Sequence, residues 1–352
     1  MKSRLFLIVA LLLPAAPLHA IALELYAGAA VVADQSAGER QRAMPQALAH
    51  VLQKLSGLSS FADRPEVGLA LEQASGIVVS FYYRNEPVLL PDGSSSERLQ
   101  LVVHFSRKAV DELLRTLKLP VWTPERRPLT AWLVVDDDLG RRIMPIELEY
   151  AWQQMAETAA ARGMPILRPE PDAEGVYPVD LQLLWGGYTE ELAGSGPADA
   201  LVIAALREGP EWNVRMNLDY GGQRWSWRQR GTGLQQLLTD GMHRAVDEIS
   251  AGATIAAADR GRWNHEITVT GLANSADYAR CLAYLQELSL VEAVRIVAAE
   301  PGRVRLDLEL SALPDYLART LEQDGVLSPT VAEDVYALAG RPQAKAAERN
   351  TE

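Results

Sequence analysis

Apolar positions along this chain follow two rhythms, period two and period three to four, and the alternation recurs in three blocks after residue 22. The first block, 23–119, opens with a strand-like run at Leu23–Val32. Ser36-Ala37-Gly38-Glu39 then reads as a capping box, in which the Ser36 hydroxyl accepts from the Glu39 amide while the Glu39 carboxylate reaches back. Met44, Leu48, Val51, Leu52 and Leu55 make one helical face, and Gly57 is its C-cap. Pro45 inside that helix costs about 3 kcal/mol in an ideal helix and predicts a kink. A second helix at Pro65–Ala74 leads to strands at Ile77–Leu90 and Glu97–Phe105, joined by Pro91-Asp92-Gly93-Ser94. Ser106 caps a further helix whose face is Val110, Leu113, Leu114 and Leu117.

Pro120, Pro124 and Pro128 bracket a linker at 120–128 that contains Arg126-Arg127. The second block, 129–255, begins with Ala131–Val135, a run apolar enough for a buried parallel strand. A helix over about Ile146–Arg162 follows, stopped by Gly163 and Pro165. Strand-like segments recur at Val179–Leu184, Ala200–Leu206, Trp212–Tyr220 and Arg224–Arg230, and a helix from about Thr232 to Ser250 closes the block. The third block, 262–340, reads strand His265–Thr270, helix Asp277–Leu288, strands Val291–Ala299 and Arg303–Leu310, helix Leu313–Gln323 and a short strand Val335–Leu338. That order, βαββαβ, is ferredoxin-like. The expected fold class is therefore α/β (α+β), three small mixed-sheet units, with a polar, disordered tail at 341–352.

Composition agrees with folded units: 48% of residues are hydrophobic and 23% charged. Residues 1–22 stand apart. Lys2 and Arg4 precede the apolar run Leu5–Leu13, which falls short of the roughly 20 residues that span a bilayer, and small residues follow. This is the pattern of a cleaved secretory signal, with cleavage after Ala20 or Ala22, and it implies a periplasmic destination. Loss of Lys2 and Arg4 takes the formal charge from −12 to −14, which disfavours nucleic-acid binding. After residue 22 no stretch approaches membrane-span length. Cys281 is the single cysteine, so no internal disulfide forms, and its spacing from Tyr278, Leu282 and Leu285 places it on a buried stripe.

The chain resembles the proteobacterial envelope family known as domain of unknown function 2066. The residues that carry the likeness are Val32-Ala33-Asp34-Gln35-Ser36 with Glu39-Arg40, Val51-Leu52-Gln53-Lys54-Leu55-Ser56-Gly57, Leu119-Pro120-Val121-Trp122, and Arg127-Pro128 before Trp132-Leu133-Val134-Val135. The resemblance implies an export signal and supplies no catalytic site. At fold level the middle block is similar to the α/β domains of envelope accessory proteins.

Two clusters carry candidate chemistry. Asp136-Asp137-Asp138-Leu139-Gly140 follows an apolar strand, where carboxylates can hold Mg²⁺ or Ca²⁺, and the pattern is similar to that of haloacid-dehalogenase-type phosphatases. Gly140 replaces the Thr or Val of that family, and no lysine lies within the block to serve as its basic residue. In Arg224-Trp225-Ser226-Trp227-Arg228-Gln229-Arg230, strand alternation puts Arg224, Arg228 and Arg230 on one face and both tryptophans on the other. Such a basic stripe suits an anionic lipid or glycan, or neighbouring acids such as Asp219. His50, His104, His243 and His265 show no zinc-ligand spacing, and no nucleophile elbow or nucleotide-binding loop occurs. The leading expectation is a non-catalytic periplasmic accessory protein that binds an envelope partner without a cofactor. Its rivals are a metal-assisted hydrolase using Asp136 and Asp138, and a binder of an anionic envelope molecule using Arg224, Arg228 and Arg230.

Overall fold

The computed structural model describes residues 24–61, 63–189, 192 and 199–339; the expected signal segment and the 341–352 tail lie outside them. The fold is mixed α+β, with a separate hydrophobic cluster for each of three sheets.

The first sheet is built from β1 (Ala27–Val31), β2 (Val78–Leu89) and β3 (Ser95–Phe105) in the order β1-β3-β2, all antiparallel. Helices α1 (Ala37–Ser56), α2 (Pro65–Glu72) and α3 (Arg107–Thr116) share one core with it. Ser36 Oγ accepts from the Glu39 amide at 3.2 Å, and the Glu39 carboxylate reaches back to the amide of Ala33 at 3.1 Å. The Ser36 amide is taken instead by Asp34 at 2.8 Å, so the cap is a relay of two acids. Gly57 ends α1 in the left-handed conformation, φ 73°. Leu48, Val51 and Leu52 on α1 are completely buried against Leu101 and Val103 of β3.

The segment read as a linker carries β4 (Val121–Trp122) and the buried side chains Trp122 and Arg126. The central sheet follows: β5 (Leu129–Asp137), β6 (Gly140–Ile143), β7 (Ile166–Leu167), β8 (Ala200–Glu208), β9 (Glu211–Tyr220) and β10 (Gln223–Gly231). Its order is β10-β9-β8-β5-β6, with β5 parallel to β8 and to the short β7 and the other pairs antiparallel. Helices α4 (Glu149–Ala161) and α6 (Leu234–Ala253) cover one face. Helix α5 (Leu181–Gly186) covers part of the other, over Trp132, Val134 and Val202. Burial on both faces explains the continuous apolar runs of β5 and β8. The strand expected at Val179–Leu184 is α5 instead: Asp180 accepts from the Gln182 amide and starts a helical turn, a local capping choice that overrides the apolar run. β11 (Thr254–Ile255) pairs with β4 and ties the end of α6 to the linker.

The third sheet contains β12 (Arg260–Leu272), β13 (Val291–Glu300), β14 (Gly302–Ala312), β15 (Leu327–Pro329) and β16 (Val335–Leu338). Helices α7 (Ser275–Glu287) and α8 (Pro314–Asp324) pack on one face through Cys281, Leu285, Leu317 and Leu321. The order is β13-β14-β12-β16-β15. The βαββα sequence is as expected, but the end differs: β15 turns back into β16, and β16 slots beside β12 in parallel. β15 went unread in the sequence because Leu327-Ser328-Pro329 is too short to show a period.

The units are joined by buried arginines that read backbone. Arg126 donates to the carbonyls of Lys54 and Gly163, each at 2.6 Å, and stacks on Trp122 at 3.7 Å. Burial lowers the Arg126 pKa to about 9, and it remains charged at neutral pH. Gln153 on α4 receives the Leu89 amide at 3.0 Å and donates to the Pro87 carbonyl at 2.6 Å, which covers the end of edge strand β2.

Candidate functional site

The three aspartates that looked like a metal cluster form a tight hairpin. Asp137 pairs with Gly140 across the β5–β6 turn, and Asp138-Leu139 occupies its tip. The return strand brings Arg141 Nη2 to 2.7 Å from Asp136 and Arg142 Nη2 to 2.8 Å from Asp137, and Arg142 also meets Glu147. Two of the three carboxylates are thus already matched by cations. Among the described residues no three histidine, cysteine or acidic side chains converge as a metal-holding group. In the sequence, Arg141-Arg142 directly after Gly140 was the overlooked signal for this hairpin.

The arginine stripe is partly as expected. Trp227 is buried under α6 and Trp225 packs beside it, while Arg224, Ser226, Arg228 and Arg230 share the opposite face. Arg224 Nε lies 3.2 Å from Asp219, and Arg230 Nε lies 2.7 Å from Glu211. Arg228 is different: its cross-strand neighbour is Arg215. Like charges directly opposite on one sheet face repel.

Beside this pair, past the edge of α5, lies a cavity of about 520 Å³. Arg215, Arg228 and Arg230 line it with Trp185, Leu206 and Ala204; Glu208 and Asn213 close its rim and hydrogen-bond each other. Arg215 donates to the Trp185 carbonyl, which fixes it against the C-terminal end of α5. Its Nε is buried without an acceptor among the described residues, as is Nδ2 of Asn217, the next residue on this face of β9. Burial, then the Arg228 charge, lowers the Arg215 pKa. Arg141, already on Asp136, stacks 3.9 Å over Trp185, so the hairpin buttresses the cavity wall. Sequence reading missed Arg215 and Trp185, because Arg215 is one of five alternating polar positions on β9, with Glu211, Asn213, Asn217 and Asp219, and Trp185 belongs to the unexpected helix.

A second surface is the edge of the third sheet. β13 ends that sheet, and a register shift between Ile296 and Ala298 leaves Ile296 and Val297 side by side, 57% and 47% exposed. Elsewhere the uncovered face is laced with ion pairs, Arg295 to Glu309 and Arg305 to Glu266.

The remaining reactive types are engaged locally. Cys281 is fully buried, and burial pushes its thiol to about 11. His50 contacts the Ala29 carbonyl at 2.7 Å, His104 stacks on Tyr82, His243 meets Arg162 at 3.1 Å and His265 meets Asp334 at 3.1 Å. No helix among the described residues is long and apolar enough to cross a membrane.

The fold is of the mixed α+β class. A domain of unknown function (DUF8605) matches residues 20–123, which span the first sheet and β4 and stop before the Arg126 clamp. No curated protein and no solved structure matches the chain.

Proposed function

We propose that this chain is an exported, non-catalytic accessory protein of a proteobacterial envelope, and that it binds an envelope protein by strand addition to β13. The observation that carries this is the edge position of β13 among the described residues, with Ile296 and Val297 exposed together. An edge strand offers unpaired backbone groups to an extended segment, and adjacent apolar side chains give that segment something to bury. Export and periplasmic residence rest on Lys2, Arg4, the Leu5–Leu13 run and the small residues through Ala22. Membership of domain of unknown function 2066, and the division into units at 23–119, 129–255 and 262–340, are part of the same reading. The hydrolase alternative loses ground to the arginine pairs on Asp136 and Asp137.

The test is a photo-crosslinking residue at position 297 in the native envelope, with one at exposed Leu139 as control. One discrete adduct from position 297, lost on Ile296→Asp, supports the reading. Adducts at both positions, or at neither, overturn it, and recovery of the full-length chain from the cytosol removes the export premise.

A further inference from the structure

We propose that the cavity between α5 and strands β8–β10 is a receptor for a phosphate monoester dianion carried on an apolar or aromatic body, with Arg215 and Arg228 as its two anchoring cations. The argument begins with charge. Three arginines line the cavity, and Arg230 is matched by Glu211. The Glu208 carboxylate at the rim is engaged by Asn213. That leaves Arg215 and Arg228, opposite each other on neighbouring strands, with no carboxylate paired to either among the described residues. A folded sheet tolerates such a pair poorly unless something of charge near −2 sits between them.

Geometry narrows the class further. Two guanidinium forks side by side present more donors than one carboxylate can accept, whereas a terminal phosphate offers three oxygens. Arg215 Nε, on a lining residue, is a buried donor without an acceptor among the described residues. Arg215 is also pre-positioned, since its other end is held on the Trp185 carbonyl, so little order is lost on binding. The rest of the lining is the indole of Trp185 with Leu206 and Ala204, and about 520 Å³ exceeds what a bare phosphate fills. A phosphorylated sugar-lipid or lipid headgroup and a soluble phosphomonoester share this chemistry. The inference is independent of β13, which lies on a different sheet.

Calorimetric titration of the purified chain uses inorganic phosphate, phenyl phosphate and phenyl sulfate, and flotation uses vesicles of phosphatidylcholine with or without phosphatidic acid. Phenyl phosphate is expected to bind at least tenfold more tightly than phenyl sulfate, and more tightly than inorganic phosphate. Arg228→Gln, an exposed position, is expected to weaken it at least tenfold, while Arg305→Gln, on the third sheet, leaves it unchanged. Flotation with phosphatidic acid alone assigns the site to a lipid headgroup, and phenyl phosphate binding without flotation assigns it to a soluble ligand. Equal flotation with pure phosphatidylcholine, equal affinity for phenyl sulfate, binding untouched by Arg228→Gln, or no binding of any probe overturns the proposal. Loss of β13 crosslinking would leave all these readings unaffected. Arg228→Lys keeps the charge but not the fork; full retention by that variant would also count against bidentate capture.

Discussion

Arg162 donates from Nη2 to the carbonyl oxygen of Gly57 at 2.8 Å, across 105 residues of chain. The same nitrogen lies 2.6 Å from Asp247, and Nη1 lies 3.1 Å from Nδ1 of His243. Ser250 donates to that Gly57 oxygen as well, at 3.2 Å. One left-handed glycine thus exposes a helix-end carbonyl that two elements of the central unit capture.

Arg162 is only 1% exposed, so its removal leaves the Gly57 carbonyl with a single donor and opens a space beneath α6. Arg162→Ala is expected to destabilise the protein by about 3 kcal/mol. Urea unfolding measures it, and the loss should appear as two separated transitions if the first sheet then melts apart from the second. A midpoint equal to that of the unaltered chain would show that the clamp contributes nothing.

Acid should weaken the same junction. Arg162 donates to Nδ1 of His243, so the ring must be neutral there, and burial followed by the Arg162 charge holds its pKa below 6.5. Burial does the same to His50. Because the unfolded chain takes up these protons more readily, stability is complete above about pH 6.5 and falls as the pH drops through the folded-state values. Melting temperature followed from pH 7.5 to 5 should decline, and His243→Gln should flatten part of that decline. An unchanged slope in the variant would assign the acid sensitivity elsewhere.

Gly28 on β1 sits under α1 so closely that a Cβ there would collide with the carbonyl oxygen of Ala47. The obstacle is backbone, which cannot swing aside. Gly28→Ala should cost about 2 kcal/mol through forced separation of strand and helix. Gly38→Ala, where a Cβ meets nothing within 4 Å, is the matched control and should leave the unfolding midpoint in place or raise it slightly.

The Asp136–Arg141 pair is about one quarter exposed on each side. Asp136→Asn is expected to cost about 1 kcal/mol or less. Asp138, at the turn tip, should be neutral as Asn. Millimolar Mg²⁺ or Ca²⁺, and chelator in turn, should leave the melting temperature where it was. A rise of several degrees on adding either ion, abolished by Asp136→Asn, would restore the metal-site reading.

Much of the architecture could be read from residue order because the signals were local. Ser36 with Glu39, Gly57 and Ser106 announce helix ends by capping chemistry that needs only a few neighbouring residues. β5 and β8 announce burial on both faces by unbroken apolar runs. What escaped depends on contacts distant in sequence. Val179–Leu184 has the composition of a strand, and only Asp180 tips it into α5. The role of Asp136 is decided by Arg141 on a strand of four residues, too short to reveal alternation. Half of the arginine cavity was visible, in Arg228 and Arg230, because one strand carries both; Arg215 and Trp185 arrive from separate elements.

Thr270 Oγ1 on β12 donates to the Tyr336 carbonyl on β16, 66 residues further on. Synthesis therefore delivers one side of a central strand long before the segment that shields it. A ribosome stalled ahead of Val335 releases a chain whose β12 is bare along that flank, a ready template for another copy to stack against. Joining such distant segments is slow, because the ends must find each other before any pairing rewards them. The third sheet is thus completed only when the late strand Val335–Leu338 pairs beside β12.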